Sequence, residues 1–254
     1  MTSVTPAVAL RPRAYVAVRG PQAVEYLDRL LSNDVPESGS ADALLLTPKA
    51  RVIAPLLAWR RGPEDVLLLT EPELGEVVRT HLVRNRFAAR CEVELEQHTS
   101  AVVFARDVDG GIENRDYGEP AFEVLDSGID ATLGEEELER RRIAAATPRF
   151  GRELDERVLP AEAGLVERAI SFTKGCYPGQ EPIARQHYRG KVNRRLRVLE
   201  VDGDPPEAGT PVTYEGKEVG RLTSAVPGLA LAYVRVEVPD SAVLDVGSAT
   251  ARVH

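Results

Sequence analysis

Eight residues, Lys174-Gly175-Cys176-Tyr177-Pro178-Gly179-Gln180-Glu181, bring together the side chains of this sequence best suited to chemistry. They include one of only two cysteines, with a lysine, a phenol, an amide and a carboxylate, punctuated by two glycines and a proline. Glycine reaches backbone angles closed to other residues, while proline fixes its own φ and removes a donor. Such a segment is expected to form a rigid, irregular loop that aims Cys176, Gln180 and Glu181 in set directions, and functional groups concentrate on loops of this kind. A tight turn with no chemistry would use the same residue types. The thiolate is the reactive form of cysteine, and Lys174, Arg185 and His187 would favour it wherever the fold brings them to the sulfur.

The charge pattern extends the case. From Lys174 to Arg197 the chain carries seven basic residues (Lys174, Arg185, Arg189, Lys191, Arg194, Arg195, Arg197) against one acid, Glu181, although its net charge is −8. Concentrated positive charge in an acidic protein suggests an anion site, because a cleft of one sign focuses the field. The alternative is a solvated basic face. Nucleic acid is not expected as a partner, since the chain lacks a broad basic surface and has only 5% aromatic residues for stacking. A small polyanion suits the pattern better.

The remaining candidates are weaker. Cys91 lies in an alternating stretch, Cys91–Leu95, and reads as a small core residue. His81, His98, His187 and His254 are scattered, and no pair has metal-site spacing, so no metal is expected. Two cysteines 85 positions apart make no disulfide framework, no apolar run approaches eighteen residues, and the start of the chain lacks the pattern of a secretory signal. These features together predict a cytoplasmic protein with no membrane partner, and a monomer.

The elements that must position the loop are legible in outline. Residues 13–19 read as a strand, Gly20-Pro21 as the opening of a helix carrying Val24, Leu27 and Leu31, and Ser32-Asn33-Asp34 as its end. Three apolar runs, 43–47, 51–59 and 65–69, predict consecutive antiparallel strands. Thr70-Glu71-Pro72-Glu73 reads as a capping box before a helix with Leu74, Val77, Val78, His81 and Leu82 on one face. Strands are expected near 91–97 and 101–107. A later helix follows Gly134, with Glu136 paired to Arg140 and Glu137 to Arg141. Strands and helices mix without strict alternation, so the class is α+β. After Arg195, short runs at 196–202, 211–214, 217–223 and 229–238 predict a small β-barrel or sandwich, with a boundary near 190–196.

Taken together, Lys174–Glu181, Ala184-Arg185 and Arg189-Gly190 resemble the signature of YgfZ-type folate-binding proteins, relatives of the glycine-cleavage T-protein (aminomethyltransferase). Gly20–Asp34, Pro160-Ala161-Glu162-Ala163-Gly164-Leu165 and Gly220-Arg221-Leu222-Thr223-Ser224 are similar to other parts of that family. The resemblance spans nearly the whole chain, strongest at 160–190 and weakest at 100–135. It implies two α+β parts enclosing a central cleft, at 1–47 with 143–192 and at 48–142, followed by a C-terminal β-barrel at 193–254.

The resemblance also implies a ligand, tetrahydrofolate. Glu162 takes the position of the family's pterin-facing acid, where an ionised carboxylate accepts two N–H bonds. Lys174, Gly175, Tyr177, Gln180, Glu181 and Arg185 complete the implied binding set, with Arg185 shaped for a carboxylate of the folate tail. Cys176 is the implied reactive residue. Where the transferases carry an aspartate pair, this chain has Ala54 and Pro55, neither of which accepts a proton. The leading expectation is therefore a folate-dependent accessory protein serving iron–sulfur enzymes or their assembly proteins. The alternatives are an aminomethyltransferase-like one-carbon transferase and a thiol-dependent redox enzyme unrelated to folate.

Overall fold

The structure, a computed structural model, describes residues 6–254. Strand β1 (Ala7–Leu10) comes first, then β2 (Ala14–Arg19), β3 (Gly39–Leu46), β4 (Val52–Gly62), β5 (Asp65–Thr70) and β6 (Glu92–Glu96). The last five form one antiparallel sheet in the order β3-β4-β5-β2-β6. Its two faces follow the period of two along each strand. Val16, Val18, Leu45 and Leu68 pack with residues of helices α1 (Ala23–Asp28) and α2 (Gly75–Asn85), whereas Tyr15, Ala17, Leu67 and Leu69 pack with Ile112 on the opposite side.

Ile112 belongs to a second sheet. Strands β7 (Ser100–Phe104), β8 (Ile112–Asn114) and β9 (Ala121–Leu125) join β1 in the order β1-β7-β9-β8, and α3 (Glu135–Ala144) follows. The chain then runs through irregular turns, α4 (Val166–Ala169) and α5 (Gln180–Arg189), whose buried residues Leu154, Leu165, Ile170, Tyr177 and Ile183 pack on Leu44, Leu46 and Val52. Finally β10 (Arg194–Asp202), β11 (Pro211–Tyr214), β12 (Lys217–Val226), β13 (Leu229–Arg235), β14 (Val243–Val246) and β15 (Ala249–Val253) close into a barrel. Its interior is filled by Leu199, Val212, Leu222, Ala232, Leu244 and their neighbours. The class is α+β with a closed C-terminal barrel.

Several expectations need correction. A division at 47/48 cuts between β3 and β4, which pair from Gly39–Arg60 to Leu46–Val52; residues 14–96 are one sheet with its helices. The capping box does not form. The helix starts instead as a 3₁₀ turn at Pro72–Leu74 with no side-chain cap, because Thr70 donates to the Pro55 carbonyl (2.8 Å) and Glu71 is drawn to Arg11. On α2, Leu74, Val78 and Leu82 are buried as expected, but Val77 is exposed. In α3, Glu137 pairs with Arg141 (3.1 Å), while Arg140 turns to the Pro227 carbonyl (2.6 Å) and ties the helix to the barrel. The two last strands, β14 and β15, were not expected.

Candidate functional site

The glycine loop is built against the β3–β4 turn. Gly179 sits at φ +86°, and a Cβ there would lie 2.8 Å from the Thr47 carbonyl oxygen and 3.1 Å from Ala50 Cα. Only glycine fits both conditions. Gly179 ends the loop, and Gln180 and Glu181 form the first turn of α5, where the acid complements the helix dipole. Gly175 faces open space, and Cys176 beside it is exposed. Cys91 is buried, and burial pushes its thiol up.

Two loop side chains turn inward. Lys174 has a side chain 3% exposed; its Nζ donates to the Asn33 carbonyl and lies 3.5 Å from Asp28. Burial lowers its pKa, against the pull of Asp28 and Asp34. Tyr177 is buried, donates to the Ser171 carbonyl (3.4 Å), and has its phenol pushed up to about 12 by burial. Lys174 and Tyr177 therefore anchor the loop from inside, and neither lines the cavity beside it.

The largest nearby cavity, about 690 Å³, opens between the 160–167 segment, α5 and the start of the barrel. Glu162, Glu167, Gln186, His187, Lys191 and Arg195 supply its charged and polar side chains, and Ile183 and Leu196 part of its apolar wall. Of the residues singled out from sequence, Glu162 lines it; Cys176, Gln180, Glu181 and Arg185 do not. The Glu162 carboxylate is held from three directions. Arg194 Nε donates to Oε1 and an Arg194 terminal nitrogen to Oε2, both at 3.2 Å, and the Leu159 amide donates to Oε2 at 3.2 Å. The Arg194 guanidinium also lies 4.7 Å from the centre of the Tyr233 ring.

The basic segment is accordingly divided by the fold. Lys174 is inside, Arg194 is on Glu162, and Arg197 pairs with Asp240. Arg185 and Arg189 stand exposed on α5, and Lys191 and Arg195 remain at the cavity.

A second polar centre left no trace in the sequence reading. Arg13 bridges Asp116 (3.2 Å) and Glu123 (3.0 Å from Nε), Arg168 bridges Asp42 (3.0 Å) and Asp116 (2.6 Å), and Arg11 grips Glu71 with two bonds (3.1 and 2.7 Å). Burial pushes Asp116 up, but Arg13 and Arg168 outweigh it and hold the carboxyl well below the usual range; at Asp42 burial wins over Arg168 and raises the pKa. The pocket among these groups is about 50 Å³, room for roughly three or four waters. Pro55 lines it, and Ala54 is fully buried beside it, so no acid stands at either position. Partners 52 to 126 residues apart give no local pattern, so no periodicity or motif could have revealed the network.

Comparison with known proteins bears on both the fold and the family. The whole chain superposes on the glycine cleavage system aminomethyltransferase T from Bartonella henselae with a TM-score of 0.76, covering 86% of that chain at 19% identity. The fold is thus that of an aminomethyltransferase. Residues 193–254 match the CAF17 C-terminal beta-barrel domain. The iron–sulfur cluster assembly factor IBA57 homolog of Pyricularia oryzae is 25% identical over 91% of this chain and 72% of its own length, and the mitochondrial IBA57 of Mus musculus 27% identical over 89% and 76%. An aminomethyltransferase of Moorella thermoacetica is 25% identical over 82% and 71%. Along most of its length the chain is thus similar both to proteins named as IBA57 iron–sulfur cluster assembly factors and to an aminomethyltransferase, and its barrel to that of CAF17.

Proposed function

We propose that the chain is a tetrahydrofolate-binding accessory protein that supports the assembly or repair of iron–sulfur clusters in other enzymes. The observation that carries the folate reading is Glu162 in the wall of a cavity of about 690 Å³ that also presents Lys191 and Arg195. A carboxylate suits the amino and ring N–H donors of a pterin, and two cations suit the carboxylates of the folate tail. The volume lies within the range of small-molecule sites, so the group fits in size as well as in charge. The iron–sulfur reading is supported by the relatives named as cluster assembly factors. Cys176, exposed on a rigid loop, is the thiol available to a client protein. One thiolate cannot hold a cluster, so the client or another donor supplies the remaining ligands.

Titration of the protein with tetrahydrofolate in a calorimeter at low salt is the test. Saturable binding is expected, and Glu162→Ala should weaken it by about 1.5–3 kcal/mol, the range for a hydrogen bond to a charged group. Absence of saturable binding overturns the folate reading.

The aminomethyltransferase-like alternative is favoured by the fold and opposed by Ala54 and Pro55, which offer no acid–base group. Formation of methylene-tetrahydrofolate from an aminomethyl donor at ordinary enzyme rates would establish it.

A further inference from the structure

The pairing of Arg194 with Glu162 has a bearing on which ligands the cavity admits. A carboxylate offers about four lone-pair positions. Three are in use here, two by Arg194 and one by the Leu159 amide. A ligand presenting two parallel N–H donors to Glu162 therefore cannot be accommodated while Arg194 keeps both of its bonds. Arg194 itself offers such a two-donor fork, the same pattern as the amino and ring N–H edge of a cyclic guanidine. We propose that Arg194 is a built-in competitor for Glu162: it holds the carboxylate with two bonds and is displaced by a ligand whose edge reproduces its own donor pattern. This inference rests on the reading that Glu162 faces the ligand.

The surroundings favour exchange over a permanent link. The Arg194 side chain is 41% exposed and that of Glu162 14%, so the cation can leave towards water at modest cost. The Tyr233 ring, already 4.7 Å from the guanidinium, keeps a contact for Arg194 once the carboxylate is taken. Glu162 stays where it is, because its own carbonyl accepts the Leu196 amide (2.8 Å) and its Oε2 the Leu159 amide. The result is a filter. A ligand with one donor can use the free lone pair without moving Arg194, whereas a two-donor ligand must displace it.

The test is calorimetric titration of the full chain and of Arg194→Ala and Arg194→Lys, with tetrahydrofolate and with its 2-desamino-2-methyl analogue as probes. Circular dichroism and thermal unfolding check that each variant is folded. The pair is open to water on the Arg194 side, which keeps its net contribution small, so Arg194→Ala should bind tetrahydrofolate about two- to fivefold more tightly. Arg194→Lys, which keeps the charge but loses the fork, should gain less. The analogue should gain nothing from either substitution. If wild type binds tetrahydrofolate and Arg194→Ala binds it equally or more weakly, this inference falls and the folate reading stands. An equal gain for both probes also overturns it. If neither protein binds tetrahydrofolate, both readings fall together.

Discussion

Replacing Gly179 by alanine tests the claim that the loop around Cys176 is held in shape by close backbone packing. The perturbation has two parts. Alanine at φ +86° adopts a left-handed conformation costing roughly 1–2 kcal/mol. Its Cβ would also stand 2.8 Å from the Thr47 carbonyl oxygen and 3.1 Å from Ala50 Cα, both backbone atoms that cannot rotate away. Forcing a methyl into such a space adds about 1–3 kcal/mol. The expected loss is about 2–5 kcal/mol, a fall in melting temperature of roughly 4–20 °C for a chain of this size. Gly175→Ala is the internal control: it has neither a positive φ nor any atom within 4 Å of the new Cβ, so its effect should stay within about 0.5 kcal/mol. Gly179→Asn separates the two parts, since asparagine tolerates the left-handed region but still carries a Cβ. Urea unfolding of the three variants decides. Equal stabilities for the Gly175 and Gly179 alanine variants, or full recovery with asparagine, would refute close packing as the reason for Gly179.

Asp116→Asn should cost about 3–5 kcal/mol near pH 7, because Arg13 and Arg168 lose the partner they share. The folded-state pKa of Asp116 lies below its unfolded value, so the stability it lends is complete above about pH 5 and is lost as pH falls towards the lower folded value. The gap between wild type and variant in denaturant unfolding should narrow below about pH 4, and a gap constant with pH would contradict the assignment. Alkylation with iodoacetamide near neutral pH, read by mass spectrometry, should modify exposed Cys176 well before buried Cys91; equal labelling counts against this arrangement. Gly220→Ala should impair the barrel by several kcal/mol, since its Cβ would lie 2.2 Å from the Tyr233 carbonyl oxygen; a variant as stable as wild type in thermal unfolding would contradict that geometry.

The strands were the most legible part of the chain because alternation is local. Runs at 43–47, 51–59 and 65–69 correspond to β3, β4 and β5, and Cys91 is buried beside β6 as its pattern suggested. The helix start at 70–73 was misread for a tertiary reason: Thr70 and Glu71 spend their side chains on Pro55 and Arg11, which no local pattern encodes. Strands β14 and β15 escaped because they are short and joined by a tight turn at Gly247 and Ser248, leaving too few residues for a clear alternation. At the site, the motif pointed to a special loop but not to the direction of its side chains. Lys174 and Tyr177 belong to the same eight residues as Cys176, yet the first two are interior and the third is outside. Glu162 was found only through the resemblance, and its pairing with Arg194 spans 32 residues across the barrel boundary.

The buried ion network also sets an order on how the chain acquires its structure during synthesis. Arg13 meets Asp116 across 103 residues, and Arg168 meets Asp42 across 126 and Asp116 across 52. A nascent chain that has emerged only as far as α3 already contains Arg13, Asp42 and Asp116, but not the cation that joins the two aspartates. Its strands can pair within each sheet at that stage, yet docking the sheets would bury Asp42 and Asp116 without the guanidinium that bridges them, with Arg13 already shared between Asp116 and Glu123. Unpaired buried charge is costly, so the docked state is disfavoured until Arg168 arrives. The two sheets should therefore remain loosely associated through most of translation and lock together late, and a ribosome-stalled chain ending near residue 150 should be more open to protease between β6 and β7 than one extended past residue 190.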